Sequence, residues 1–153
     1  MVENNKPQSP TQFGWGISHR IFHDDAGYPV YIDDETITEW NGKHIAASLV
    51  AGKNHTVKGA EEGARLMGYL VMVEDRKVEG VKVGTIQVHG GTLLPVKAED
   101  ALAVGDMVVG AGNGEIRKAD LANAAEAAKS AGRVCTAILD GSDGKKYAEV
   151  VFS

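Results

Sequence analysis

The chain has 153 residues, 43% hydrophobic and 24% charged, with a formal net charge of −5, the make-up of one globular domain. Dispersed Lys and Arg in an acidic chain exclude a basic field for nucleic acid and a polybasic membrane segment. No window approaches the ~18 continuous apolar residues of a transmembrane helix, and a single cysteine, Cys135, excludes an intrachain disulfide and a multi-cysteine zinc site.

The first residues, "MVENNKPQSPTQ", are polar and lack a signal-peptide core, so synthesis in a cytoplasm is expected. "FGWGISHRIF" then places Phe13, Trp15, Ile17, Ile21 and Phe22 in an otherwise polar arm, residues 1–27. Large apolar side chains in an arm dock on something: the chain's own core, a sister subunit or another partner.

From Tyr28 the pattern is β, and residues 28–153 read as one β-rich domain. "YPVYI", "DDETITEW" and "KHIAASLV" read as strands, with Asn41-Gly42 as a hairpin signal because both residues accept positive φ. "GKNHTVKGAEEGAR" reads as turns around one short strand, and "LMGYLVMVED" as a strand buried on both faces. "EDRKVEG" closes a hairpin into "VKVGTIQVHGG", whose apolar phase slips at Gly84, predicting a β-bulge there. Pro95 places "TLLPVKA" at an edge. "DLANAAEAAKSAG" predicts one helix, capped by Asp120 and ended by Gly132. "RVCTAIL" and "KKYAEVVF" alternate as half-buried strands around a "DGSDG" turn. The expected fold is mainly β, a small barrel or sandwich with one short helix and an extended N-terminal arm. The hairpins at 64–88 and 131–152 echo one another, either as two quasi-equivalent parts of one barrel or by chance.

"GDMVVGAGNGEIRKA", Gly105 to Ala119, has the glycine density of a phosphate loop. A dinucleotide fingerprint beginning at Gly110 needs glycine where Glu115 stands, and needs a helix where "EIRKA" reads as a strand. A hairpin turn at Asn113-Gly114 is the better reading. His19 and His23 have helical metal spacing, but Arg20 replaces the glutamate of the metalloprotease motif. Ser18 lacks the closing glycine of a nucleophile elbow. Cys135 reads as a packing thiol inside a strand. The pairs Asp24-Asp25, Asp33-Asp34 and Glu61-Glu62 read as solvated turns. No catalytic, cofactor or metal constellation survives, and the expected answer is a protein without enzymatic activity.

Two resemblances remain. The series "GKNHTVKGAEEGARLMGYLVMVED", "VKVGTIQVHGGTLLPV", "ALAVGDMVVGAGNGEIRKA" and "AGRVCTAILDGSDGKKYAEVVF" is similar, in order and spacing, to small phage capsid decoration proteins, also called cement or head-stabilising proteins. Within it Gly105-Asp106 precede a strand, Gly114 leads the next, and the chain closes on a polar turn and a last alternating strand. The resemblance covers residues 35–153 and implies a compact β-barrel-like domain, commonly a homotrimer. It implies attachment to the outer surface of the virion's icosahedral head, bridging major capsid protein subunits and stabilising them, with no cofactor, nucleic acid or membrane partner. Phe13, Trp15, Ile17, Ile21 and Phe22 are then candidate contacts to the capsid or a sister subunit. The alternative is a lipoyl- or biotin-type carrier domain modified at Lys77, since such domains also present a lysine at a hairpin tip. Glu74 and Lys77 match that motif loosely, while Arg76 stands where the lipoyl motif has aspartate.

Overall fold

A computed structural model describes residues 27–37 and 44–152. The arm residues Phe13, Trp15, Ile17, Ile21 and Phe22, the histidines His19 and His23, Ser18 and the Asn41-Gly42 turn lie outside these. The expected mainly-β architecture is present, organised as two sheets.

The first sheet is a closed barrel in the order β1-β3-β2-β4-β5, with β1 (Gly27–Ile32) also bonded to β5 (Val81–Gln87). β2 (Ile45–Leu49), β3 (Thr56–Gly59) and β4 (Gly68–Arg76) complete it. β1 and β3 run parallel and every other pairing is antiparallel. Closure leaves this sheet without an open edge. Its interior is filled by its own side chains, among them Val30, Val57, Leu70, Val73 and Ile86.

The second sheet runs β10-β11-β6-β8-β7, with β9 beside β11. Its strands are β6 (Gly90–Val96), β7 (Val108–Gly112), β8 (Glu115–Lys118), β9 (Arg133–Val134), β10 (Leu139–Asp140) and β11 (Lys146–Phe152). Met107 bridges Arg133, and Val134 N–H donates to the Asp106 carbonyl at 2.9 Å. These bonds bring β7 round to β9, so the sheet curls almost to closure. The core beneath it holds Leu94, Val108, Ile116, Val150 and Phe152, and it also takes Ala46, Ala60, Leu66 and Tyr69 from the first half of the chain.

β4 serves both cores through a bulge. Leu70 pairs with Ile86 and Met72 with Thr85, which leaves Val71 as the extra residue. Leu70 and Val73 point into the barrel, while Tyr69 and Val71 turn toward the shared core. The bulge expected at Gly84 therefore lies on the partner strand. Gly84 is needed for another reason, because a Cβ there would sit 2.4 Å from the Met72 carbonyl oxygen. The strand at 66–75 is buried on both faces only over its first residues and alternates afterwards.

Other local expectations are corrected. The helix α1 is a single turn, Ala124–Ala127, capped by Asn123, whose side chain accepts from Ala125 N–H at 3.0 Å. Asp120 instead folds its side chain back to Ala122 N–H at 3.0 Å. None of the helical residues is buried, so alanine propensity has no packed face to extend it. Pro95 lies in β6, which pairs with β11 along its length but with β8 only at Val96, so a missing N–H is tolerated. The two echoing hairpins fall in different sheets rather than closing one barrel together.

Candidate functional site

The glycine-rich stretch is the β7–β8 hairpin, with Asn113 at φ 54 and Gly114 at φ 74, both in the left-handed region that a two-residue turn of this type demands. It joins the two halves of the protein. Gly110 N–H donates to the Ala64 carbonyl and Gly63 N–H to the Gly110 carbonyl, both at 2.9 Å, while Ala46 N–H donates to Gly114 at 3.1 Å. A Cβ at Gly110 would lie 2.2 Å from the Glu61 carbonyl oxygen, and one at Gly114 would lie 2.4 Å from the Ile45 side chain. No helix begins at these glycines, so they offer no anion a helix N-terminus.

The acidic pairs divide. Asp33 meets Lys53 at 2.6 Å with both side chains exposed, as a solvated turn would. Asp34 differs from expectation: its carboxylate accepts from Gly59 N–H at 2.9 Å, from Thr36 N–H at 3.0 Å and from the Thr36 hydroxyl at 2.6 Å. Partial burial pushes its pKa up, but these bonds and the Lys82 charge outweigh it and hold the pKa below its ordinary value. Glu62 and Glu126 grip Arg117, each at 2.5 Å, tying β8 to the loop before β4 and to α1. Burial opposes the charge on Arg117, and the two carboxylates more than compensate. Sequence reasoning missed this cluster, whose members are 55 and 9 residues apart and lack any shared motif.

Cys135 is exposed just after β9, not packed inside a strand. Desolvation and the nearby Glu149 push its thiol pKa up, opposite to an activated nucleophile. Glu149 itself is only 7% exposed and burial raises its pKa, with no ion pair among the described residues. Lys77 stands exposed in the turn between β4 and β5, the place expected of it. Its neighbour Arg76 pairs with Glu74 at 3.2 Å and with Glu79 at 3.4 Å, giving a charged hairpin tip. Among the described residues no group of three His, Cys, Asp or Glu is placed to hold a metal.

Two surfaces are suited to contact with other polypeptide. On the outer face of the barrel, Tyr31 pairs across to Val83, and Pro29 to Thr85 and on to Met72. Tyr31 is 53% exposed and Met72 56% exposed, an apolar band on a closed barrel. The other is a groove of about 740 Å³ where the two sheets meet. Leu49, Met67, Val88, Met107, Val151 and Phe152 form its apolar walls, and Arg65 and Arg133 flank it. No protein-family model matches the chain, and comparison with curated proteins finds no match.

Proposed function

We propose that this is a non-enzymatic structural protein of a phage virion, which binds the outer surface of the head and bridges major capsid protein subunits. The observation that carries the reading is the ordered resemblance over residues 35–153. Its four phrases fall on β3–β4, β5–β6, β7–β8 and β9–β11, which are all of the second sheet and three of the five barrel strands. A mainly-β barrel body is the architecture that resemblance implies, and the apolar band around Tyr31 and Met72 supplies a protein-facing surface. A body tied together by backbone bonds between its sheets suits a part that bears load without changing shape. Oligomerisation as a homotrimer belongs to the same proposal.

The test mixes purified protein with expanded, undecorated heads of the phage whose genome carries the chain. Saturable, stoichiometric co-sedimentation is expected, reduced by Tyr31→Ser with Met72→Ser. No co-sedimentation at any protein concentration would remove the reading. The carrier alternative rests on the exposed tip position of Lys77. Intact mass after expression in the native host separates the two, since a carrier gains the mass of a lipoyl or biotinyl group and a decoration protein does not.

A further inference from the structure

We infer that the tip of the β4–β5 hairpin of one chain docks in the groove between the two sheets of a second copy. β1 is bonded to β5 from Gln87 only as far as Val83, whereas β4 and β5 stay paired out to Arg76 and Val81. The turn of residues 77–80 therefore stands beyond the last residue of β5 that β1 reaches, as a projecting end of the barrel. Val78 in that turn is fully exposed and packs on nothing in its own chain, and Val81 beside it is 37% exposed. Apolar, β-branched side chains at a projecting tip are suited to a surface supplied by another polypeptide.

The groove lies at the opposite end of the same hairpin. Met67, the residue before β4, and Val88, the residue after β5, both belong to its wall. Val81 and Val88 are seven residues apart along extended chain, about 23 Å, so a tip held by a closed barrel does not reach its own groove. The groove it enters is that of another copy, and the contact is head-to-tail. Shape and surface agree with this occupant. The groove is concave, about 740 Å³, and its walls are apolar and adaptable, because Leu49, 58% exposed, stands with the methionines Met67 and Met107.

Charge supports it too. Arg65 donates to the Ala128 carbonyl and Arg133 to the Gly105 carbonyl, and neither meets a carboxylate among the described residues. At the hairpin tip Glu74, Asp75 and Glu79 outnumber Arg76 and Lys77, and Glu74 and Glu79 share the single guanidinium of Arg76. An acidic tip with an apolar point thus complements an apolar groove flanked by two arginines. A head-to-tail contact makes a ring when its rotation closes, so this one supplies an interface for the homotrimer proposed above. Only closure at three copies rests on that reading; the contact itself needs no capsid.

Sedimentation velocity of the full chain over a concentration series is expected to show reversible self-association. Val78→Asp at the tip and Leu49→Glu in the groove are changes at exposed positions that the fold tolerates. Each is expected to weaken association by about ten-fold or more while leaving the circular dichroism spectrum unchanged. Mixing the two variants separates a head-to-tail contact from a symmetric one. The intact tip of the Leu49→Glu chain then meets the intact groove of the Val78→Asp chain, so dimers and nothing larger are expected. With Val78 replaced by the photocrosslinker p-benzoylphenylalanine, irradiation is expected to join the tip to Met67, Met107 or a residue beside them, in adducts between isotope-labelled and unlabelled chains. A chain that stays monomeric throughout the series overturns the proposal, as do variants that associate like the parent. A mixture that stays monomeric or grows beyond dimers overturns it too, and so do adducts confined to other surfaces or no adduct at all. A protein that passes these tests yet fails to bind heads removes the capsid reading and leaves this contact standing.

Discussion

The two sheets of this protein have similar amounts of strand but are stabilised differently. The barrel closes by continuous pairing and fills its interior with side chains from its own strands. The second sheet is drawn almost to closure by a bridge between Met107 and Arg133, and its core borrows Ala46, Ala60, Leu66 and Tyr69. The core of the second half is thus completed by residues of the first. Length of strand is therefore a poor guide to independence; ownership of the core decides it.

The largest expected effect comes from separating the halves. Residues 89–153 alone are expected to stay unfolded, because the shared core loses Tyr69 and Leu66 and the β7–β8 hairpin loses its bonds to Ala46, Gly63 and Ala64. A dispersed amide spectrum from that fragment would break the comparison. A smaller effect follows from Gly110→Ala, which puts a methyl group against backbone at the junction and is expected to cost about 3 kcal/mol. Gly112→Ala, two residues along at φ 90 with open space around it, should cost only about 1 kcal/mol from backbone strain. Urea unfolding of both variants sharpens the point that the junction, and not the turn, is where the halves are joined.

The halves also differ in the sign of a pH effect. Asp34, beside the barrel, has its folded-state pKa depressed below 3.8, so its stabilisation is present above 3.8 and lost as pH falls through the depressed value. Asp34→Asn should thus destabilise at pH 7 and lose that effect in strong acid. Glu149, in the second sheet, has its folded pKa raised above 4.5 by burial. Its favourable contribution is present below 4.5 and lost as pH rises through the raised value, so Glu149→Gln should stabilise at pH 7 and become neutral below 4.5. Thermal melts across pH, showing the same sign for both variants, would contradict this assignment.

The smallest effect concerns the link between the cores. Tyr69 is fully buried, its ring centroid 5.1 Å from that of His44 and 5.8 Å from that of Phe152, and its hydroxyl has no hydrogen-bond partner among the described residues. Burial pushes its phenol pKa up, as expected for a group cut off from water. Tyr69→Phe keeps the ring and removes the orphan hydroxyl, so a gain of about 1 kcal/mol is expected in urea unfolding.

Much of this architecture was legible in the sequence, because short-range chemistry fixed it. Asn113-Gly114 announces its hairpin through two residues that accept positive φ, and alternation marks β11. What was not legible depends on partners distant in sequence. The bulge belongs to β4, while the phase slip read at Gly84 is on β5, and only the register tells which strand carries the extra residue. The alanine-rich stretch has the propensity of a long helix, but no buried face exists to hold more than one turn. Arg117 gathers Glu62 and Glu126 only after two sheets have met, and Cys135 leaves its strand because β9 is just two residues long.

The central claim is that this two-sheet body is a part of a virion shell. Cryo-microscopy of expanded heads saturated with the protein tests it most directly. The account predicts density for the β body on the outer surface at every equivalent position, spanning adjacent major capsid protein subunits, with the Tyr31 and Met72 face toward the shell. Bare heads at saturating protein would contradict it.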